Sequence, residues 1–156
     1  MTQLIRNPVH LLAFGFGAGL SPKAPGTVGT LVAVPIYCLL AANLSLPVYA
    51  IVTILFIVAG CWICGKTARD LGVHDHGGIV WDEIAGFMCA LLGLPLHWIN
   101  VVLAFALFRL FDIWKPWPIS WLDRRVKGGV GIMLDDVAAG LLSCVCIHLV
   151  WRIAAI

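Results

Sequence analysis

The sequence predicts an all-α fold: a small multi-pass integral membrane helical bundle of about five membrane helices, with an N-terminal interfacial or re-entrant segment. Three observations lead there. Hydrophobic residues form 62% of the 156-residue chain and mean hydropathy is +1.01, well above the roughly 45–50% apolar usage of soluble domains. Charged residues are only 12%, against about 25% in soluble proteins. The eight carboxylates fall into three groups, and the first 69 residues contain none: Asp70, Asp75, Asp82 and Glu83; Asp112 and Asp123; Asp135 and Asp136. Charge thus sits where apolar runs end. The length fits one domain, residues 1–156, by the usual prior of roughly 100–200 residues per domain. A net charge of +2 is too small for a phosphate-tracking surface and argues against nucleic-acid binding.

Residues 9–20 are apolar but too few to span a bilayer. No convincing small-x-small cleavage site precedes a soluble domain, so this run after Arg6 is read as an interfacial or re-entrant helix rather than a signal peptide. Next comes Ser21-Pro22-Lys23-Ala24-Pro25-Gly26-Thr27-Val28-Gly29-Thr30. Prolines stiffen this loop, glycines allow close backbone approach, and Lys23 adds charge beside unpaired helix amides. It can cradle a phosphate, although it is not a Walker loop. The plainer alternative is a helix start capped by Thr27.

Apolar runs follow at residues 27–46, 48–65, 84–96, 97–111 and 137–155. A hydrocarbon core of roughly 30 Å needs about 20 helical residues, which the first, second and fifth runs meet or approach. The third and fourth are short and are separated only around Leu94-Pro95-Leu96, so a hairpin that does not fully cross is the alternative. If the helices alternate, Arg6, Lys23, Lys66, Arg69, Lys115, Arg124, Arg125 and Lys127 share one side with the acids, and the positive-inside rule makes that side cytoplasmic. Arg152 falls at the opposite end, where its side chain can snorkel.

Residues 74–86 hold His74, Asp75, His76, Asp82 and Glu83, which combine metal ligands with proton-transfer groups. Asp82 and Glu83 open one helix, and Asp135 and Asp136 open another. Either pair alone reads as favourable charge at a helix N-terminus. Two such pairs at one membrane face repel unless a cation neutralises them or some are protonated. Oxygen-only ligands suit Mg²⁺, whereas zinc recruits His and Cys. Arg109, Asp112 and Lys115 recur every three residues and share a helical face until Pro116 ends it. They form either an ion-pair ladder at the boundary or a phosphate grip in which Asp112 orients a cation or joins the metal. The six cysteines are read as small buried hydrophobes, since no zinc spacing exists. His10, His97 and His148 lie apart from the clusters and are read as packing or interfacial residues.

Four segments together resemble a known family. Residues 17–30, His74-Asp75 through Ile79-Val80-Trp81-Asp82-Glu83, Arg109 through Lys115-Pro116-Trp117-Pro118-Ile119, and Gly131-Ile132-Met133-Leu134-Asp135-Asp136-Val137-Ala138-Ala139-Gly140 look like bacterial phosphatidylglycerophosphatase A. The resemblance implies a Mg²⁺-dependent phosphatase of the bacterial inner membrane that converts phosphatidylglycerophosphate to phosphatidylglycerol. In that reading Asp82, Glu83, Asp135 and Asp136 hold Mg²⁺ at the cytoplasmic face. Lys23, Arg109 and Lys115, with the backbone around Gly26 and Thr27, hold phosphate. His74 or Asp75 moves the proton, and Asp82 and Asp112 complete the catalytic set. Water attack and a covalent His or Asp intermediate both stay open. The Pro-Ser-Gly-His segment of type-2 phosphatidic acid phosphatases and the CDP-alcohol phosphotransferase signature are absent. Other classes to weigh are a small ion-coupled membrane transporter, disfavoured because the runs carry almost no polar groups through their depth, and a non-catalytic membrane scaffold.

Overall fold

A computed structural model describes residues 6–73 and 76–154, all helical or loop with no strand among the described residues. The helices are α1 (Pro8–Ala13), α2 (Pro25–Asn43), α3 (Leu46–Leu71), α4 (Trp81–Ala90), α5 (Trp98–Trp114), α6 (Ile119–Arg125) and α7 (Gly128–Ala154), with a kinked 3₁₀ segment at Gly15–Leu20. The N-terminal apolar stretch therefore forms two short helical pieces.

Only α2, α3 and α7, of 19, 26 and 27 residues, are long and apolar enough to cross a membrane among the described residues. The expectation of about five spans is thus reduced to three helices of spanning length. At 1.5 Å per residue, the 17 residues of α5 reach about 25 Å and the ten of α4 about 15 Å. The third apolar run is apolar for a different reason from the others. Every residue of α4 except Glu83 is buried in protein, with α7, α2 and α3 packed around it. The lipid-type surface belongs to its neighbours: Ile51, Ile54, Leu55 and Val58 of α3 and Val145, Leu149 and Ile153 of α7 are exposed, as expected of helices solvated by hydrocarbon.

Close approach of α4 to α7 depends on small residues. A Cβ at Gly140 would run into the Gly86 carbonyl, and one at Gly86 would lie 2.7 Å from the Asp136 carbonyl. This is the small-residue packing by which membrane helices bring their backbones together. Pro95 and Gly93, at φ +74°, turn the chain after α4, and His97 caps α5 by accepting from Ile99 N at 3.3 Å.

The depth of α4 follows from its hydrogen bonds. Trp81 Nε1 donates to Phe56 O at 3.0 Å, and Tyr49 OH donates to Met88 O at 2.8 Å. Helix α4 therefore lies beside the first part of α3. From Phe56, α3 runs on to Leu71, about 22 Å further along its axis. The start of α4 is recessed below that end, and α1 packs across the overhang. His10 Nδ1 pairs with Thr67 Oγ1 at 2.9 Å and His10 Nε2 lies 3.3 Å from Asp70 Oδ2, while Val80 N donates to Ala13 O at 2.9 Å.

Candidate active site

The start of α4 brings Asp82 and Glu83 against α7, where Asp136 projects from the third turn. Candidate ligand oxygens of Asp82, Glu83 and Asp136 all lie within 4.8 Å of one another. Asp82 is 8% and Asp136 4% exposed. On the far side of Glu83 stands Arg109 of α5, with NH1 2.6 Å from Asp112 Oδ2 and 3.9 Å from Glu83 Oε1. Four carboxylates thus face one guanidinium in a buried setting. Charges of one sign held this close in low dielectric are relieved by a bound cation or by protons.

The unsatisfied atoms say the same. Glu83 Oε2 and Asp136 Oδ2 are buried without a hydrogen-bond partner, as is Arg109 Nε. Asp82 Oδ1 accepts from the Glu83 amide at 3.1 Å. Buried polar atoms in folded proteins are normally partnered. Free carboxylate oxygens on one side and a free guanidinium N–H on the other fit a divalent cation and an anion bound side by side. The donors are oxygen only, which fits a hard cation better than zinc.

Helix α2 opens onto this cluster. Its first residue is Pro25 and its cap is Ala24 in the left-handed region, so Thr27 is not the cap. The first backbone bond runs from Val28 N to Ala24 O at 3.2 Å, which leaves the Gly26 and Thr27 amides at the unpaired end of the helix. A Cβ at Gly26 would collide with Glu83 Oε1 and lie 3.1 Å from both terminal nitrogens of Arg109. Glycine here allows backbone to touch the site. Lys23 is exposed in the preceding loop, with no ion pair among the described residues.

Two expected positions differ. Asp135 is not in the three-carboxylate group: consecutive helical residues project about 100° apart, and its Oδ2 instead accepts from Lys115 Nζ at 2.6 Å. Lys115, expected at the phosphate or beside Asp112, also donates to Asp123 Oδ1 of α6 at 2.7 Å. As the C-cap of α5 it has φ +47°, which turns it away from the face it would share with Arg109 and Asp112. The Lys115 ammonium, which burial alone would push down, is held above its usual range by hydrogen bonds to Asp123 and Asp135. The Lys115 hydrogen bond holds the Asp123 carboxyl below the usual range. His74 and Asp75 lie outside the described residues. Sequence reasoning missed Asp123 as a partner of Lys115, and His10 as a partner of Asp70. Neither pairing leaves a spacing signal, because the partners lie on different helices.

The phosphatidylglycerophosphatase A family profile matches residues 11–151. The chain belongs to this phosphatase family. A phosphatidylglycerophosphatase A from Escherichia coli (strain K12) is 52% identical over 138 residues, covering 88% of this chain and 80% of its own. One from Haemophilus influenzae is 47% identical over 140 residues, covering 89% and 86%. A Bacteroides thetaiotaomicron protein provisionally named a phosphatidylinositol-3-phosphatase is 41% identical over 145 residues, covering 88% and 89%. No solved structure matches the chain.

Proposed function

We propose that this chain is a Mg²⁺-dependent lipid phosphatase that removes the phosphomonoester of phosphatidylglycerophosphate to leave phosphatidylglycerol, at the cytoplasmic face of the bacterial inner membrane. The relatives' names supply the substrate class. The observation that carries the reading is the buried meeting of Asp82, Glu83 and Asp136 with Arg109 at the opening of α2. Three spanning-length helices support a membrane setting, and the clustering of basic residues at the α3 C-terminal end supports the cytoplasmic face.

Asp82, Glu83 and Asp136 would hold the cation, which when bound supplies charge neutralisation at phosphoryl oxygens. Arg109, steered by Asp112, grips the phosphate through its free N–H groups. The amides of Gly26 and Thr27 add donors that need no reorganisation as charge develops. Lys23 draws the anionic headgroup toward the opening. His74 or Asp75, next to this end of α4 in sequence, takes the proton-transfer role. Lys115 and Asp135 hold α6 against α7 and are positioning residues.

The test is phosphate release from phosphatidylglycerophosphate by purified protein, with and without Mg²⁺. Asp82→Asn and Asp136→Asn should stay in the membrane fraction yet lose most activity, because a neutral amide weakens a hard-cation site. Wild-type turnover in both variants would reduce these residues to helix-terminal charges.

A further inference from the structure

Between α6 and the start of α7 lies a cavity of about 280 Å³ that takes no part in the chemistry above. At roughly 30 Å³ per water-sized group, it admits a short polar chain and excludes a folded segment. Asp123, Arg124, Lys127 and Asp135 line it. The two carboxylates share Lys115, while Arg124 and Lys127 are exposed and have no ion pair among the described residues. Two cations, Arg124 and Lys127, and two carboxylates line the cavity, and Lys115 bonds both carboxylates from outside it, so the local charge leaves room for one negative group. Asp135 is only 7% exposed, and its Oδ1 is buried without a partner, so the cavity also lacks one hydrogen-bond donor. The next residue, Asp136, belongs to the acidic cluster, and neighbouring Cα atoms are about 3.8 Å apart.

We propose that this cavity binds the glycerol phosphodiester part of the lipid headgroup, between the phosphate that is removed and the acyl chains. The inference rests on the substrate reading above. Arg124 and Lys127 meet the single negative charge of the phosphodiester, and the glycerol hydroxyl donates to Asp135 Oδ1. Arg124 and Lys127 are then specificity residues: they select a lipid whose phosphomonoester is carried on a second glycerol over one whose phosphomonoester sits on the diacylglycerol itself.

Calorimetric titration of the purified full chain with sn-glycero-3-phosphoglycerol, the deacylated headgroup, up to about 10 mM tests this directly. The wild type should bind it, and Arg124→Gln/Lys127→Gln, which removes both charge-assisted contacts, should bind at least tenfold more weakly. Inorganic phosphate should bind both proteins equally. In turnover of phosphatidylglycerophosphate the same variant should raise KM with kcat held, the sign of lost uniform binding. Absence of headgroup binding by the wild type, equal binding by the variant, or a fall in kcat with KM held would each overturn the assignment. A wild type that binds the headgroup but releases no phosphate would instead sink the proposed activity and leave the cavity's ligand standing.

Discussion

Lys115 shows how much one side chain can be asked to do. It ends α5, and its ammonium ties α6 through Asp123 and α7 through Asp135. Asp123 has a depressed pKa, so its contribution is present above the ordinary carboxylate range near 3.9 and is lost as pH falls below that. Lys115 has a raised pKa, so its contribution is complete below about 10.4 and is lost only as pH rises through its higher folded value. The Lys115–Asp123 arm of the bridge should hold over the whole interval between. Tryptic cleavage at Arg124 and Arg125, divided by the rate on an unstructured arginyl peptide at the same pH, should therefore stay slow from about pH 5 to 9 in the wild type. Lys115→Met, which leaves Asp123 and Asp135 facing each other, should speed cleavage several-fold, and adding Asp123→Asn should restore part of the protection. Cleavage unaffected by Lys115→Met would mean that other contacts hold α6. At this scale the sequence exposes types better than partners. Asp82, Glu83 and Asp136 were legible because acids are rare and border apolar runs, although only Asp82 and Glu83 open a helix: α7 begins at Gly128, so Asp135 and Asp136 sit inside it. The division of Asp135 from Asp136 was not, because it depends on which way α7 is rotated. The Lys115–Asp123 pair was hidden by the turn between α5 and α6.

Helix α4 shows why an apolar run does not name its surroundings. Hydropathy counts Ile84, Ala85, Phe87 and Met88 alike whether lipid or protein covers them, and here protein does. The short run and the break around Leu94-Pro95-Leu96 were visible signals; the burial on all sides was not, because it is a property of α7, α2 and α3. The packing has a narrow tolerance. Gly140→Val would force the α4 and α7 backbones apart, and such overpacking costs about 1–3 kcal/mol. The variant should melt several degrees lower in detergent and lose activity, since the separation of α4 from α7 also parts Asp82 and Glu83 from Asp136. An unchanged melting temperature would show that the two helices can slide without penalty.

Over the whole molecule, the openings of α2, α4 and α7 and the closings of α3 and α5 gather toward one side, as the basic residues alone suggested. Lys66→Cys and Arg125→Cys should label from the cytoplasm and Leu46→Cys from the other face; labelling of positions 66 and 46 from the same face would end this topology. The one-sidedness was legible because Lys and Arg avoid the opposite loops. The recess was not, because the overhang of α3 past Phe56 is set by where α4 docks.

The shortness of α4 also governs how the protein is made. Ten residues with two acids in the first turn offer too little to hold a place in lipid, and α7, the helix that walls the slot of α4 most extensively, is synthesised after the other described helices. The 64 residues from Ala90 to Ala154 take roughly 3 to 13 s to appear at ordinary translation rates. Until the 46th of these residues is added Asp82 and Glu83 wait without Asp136, and the nascent chain is inert. Catalytic competence arrives only with α7, so a ribosome that stops before it releases a product with neither the fold nor the chemistry.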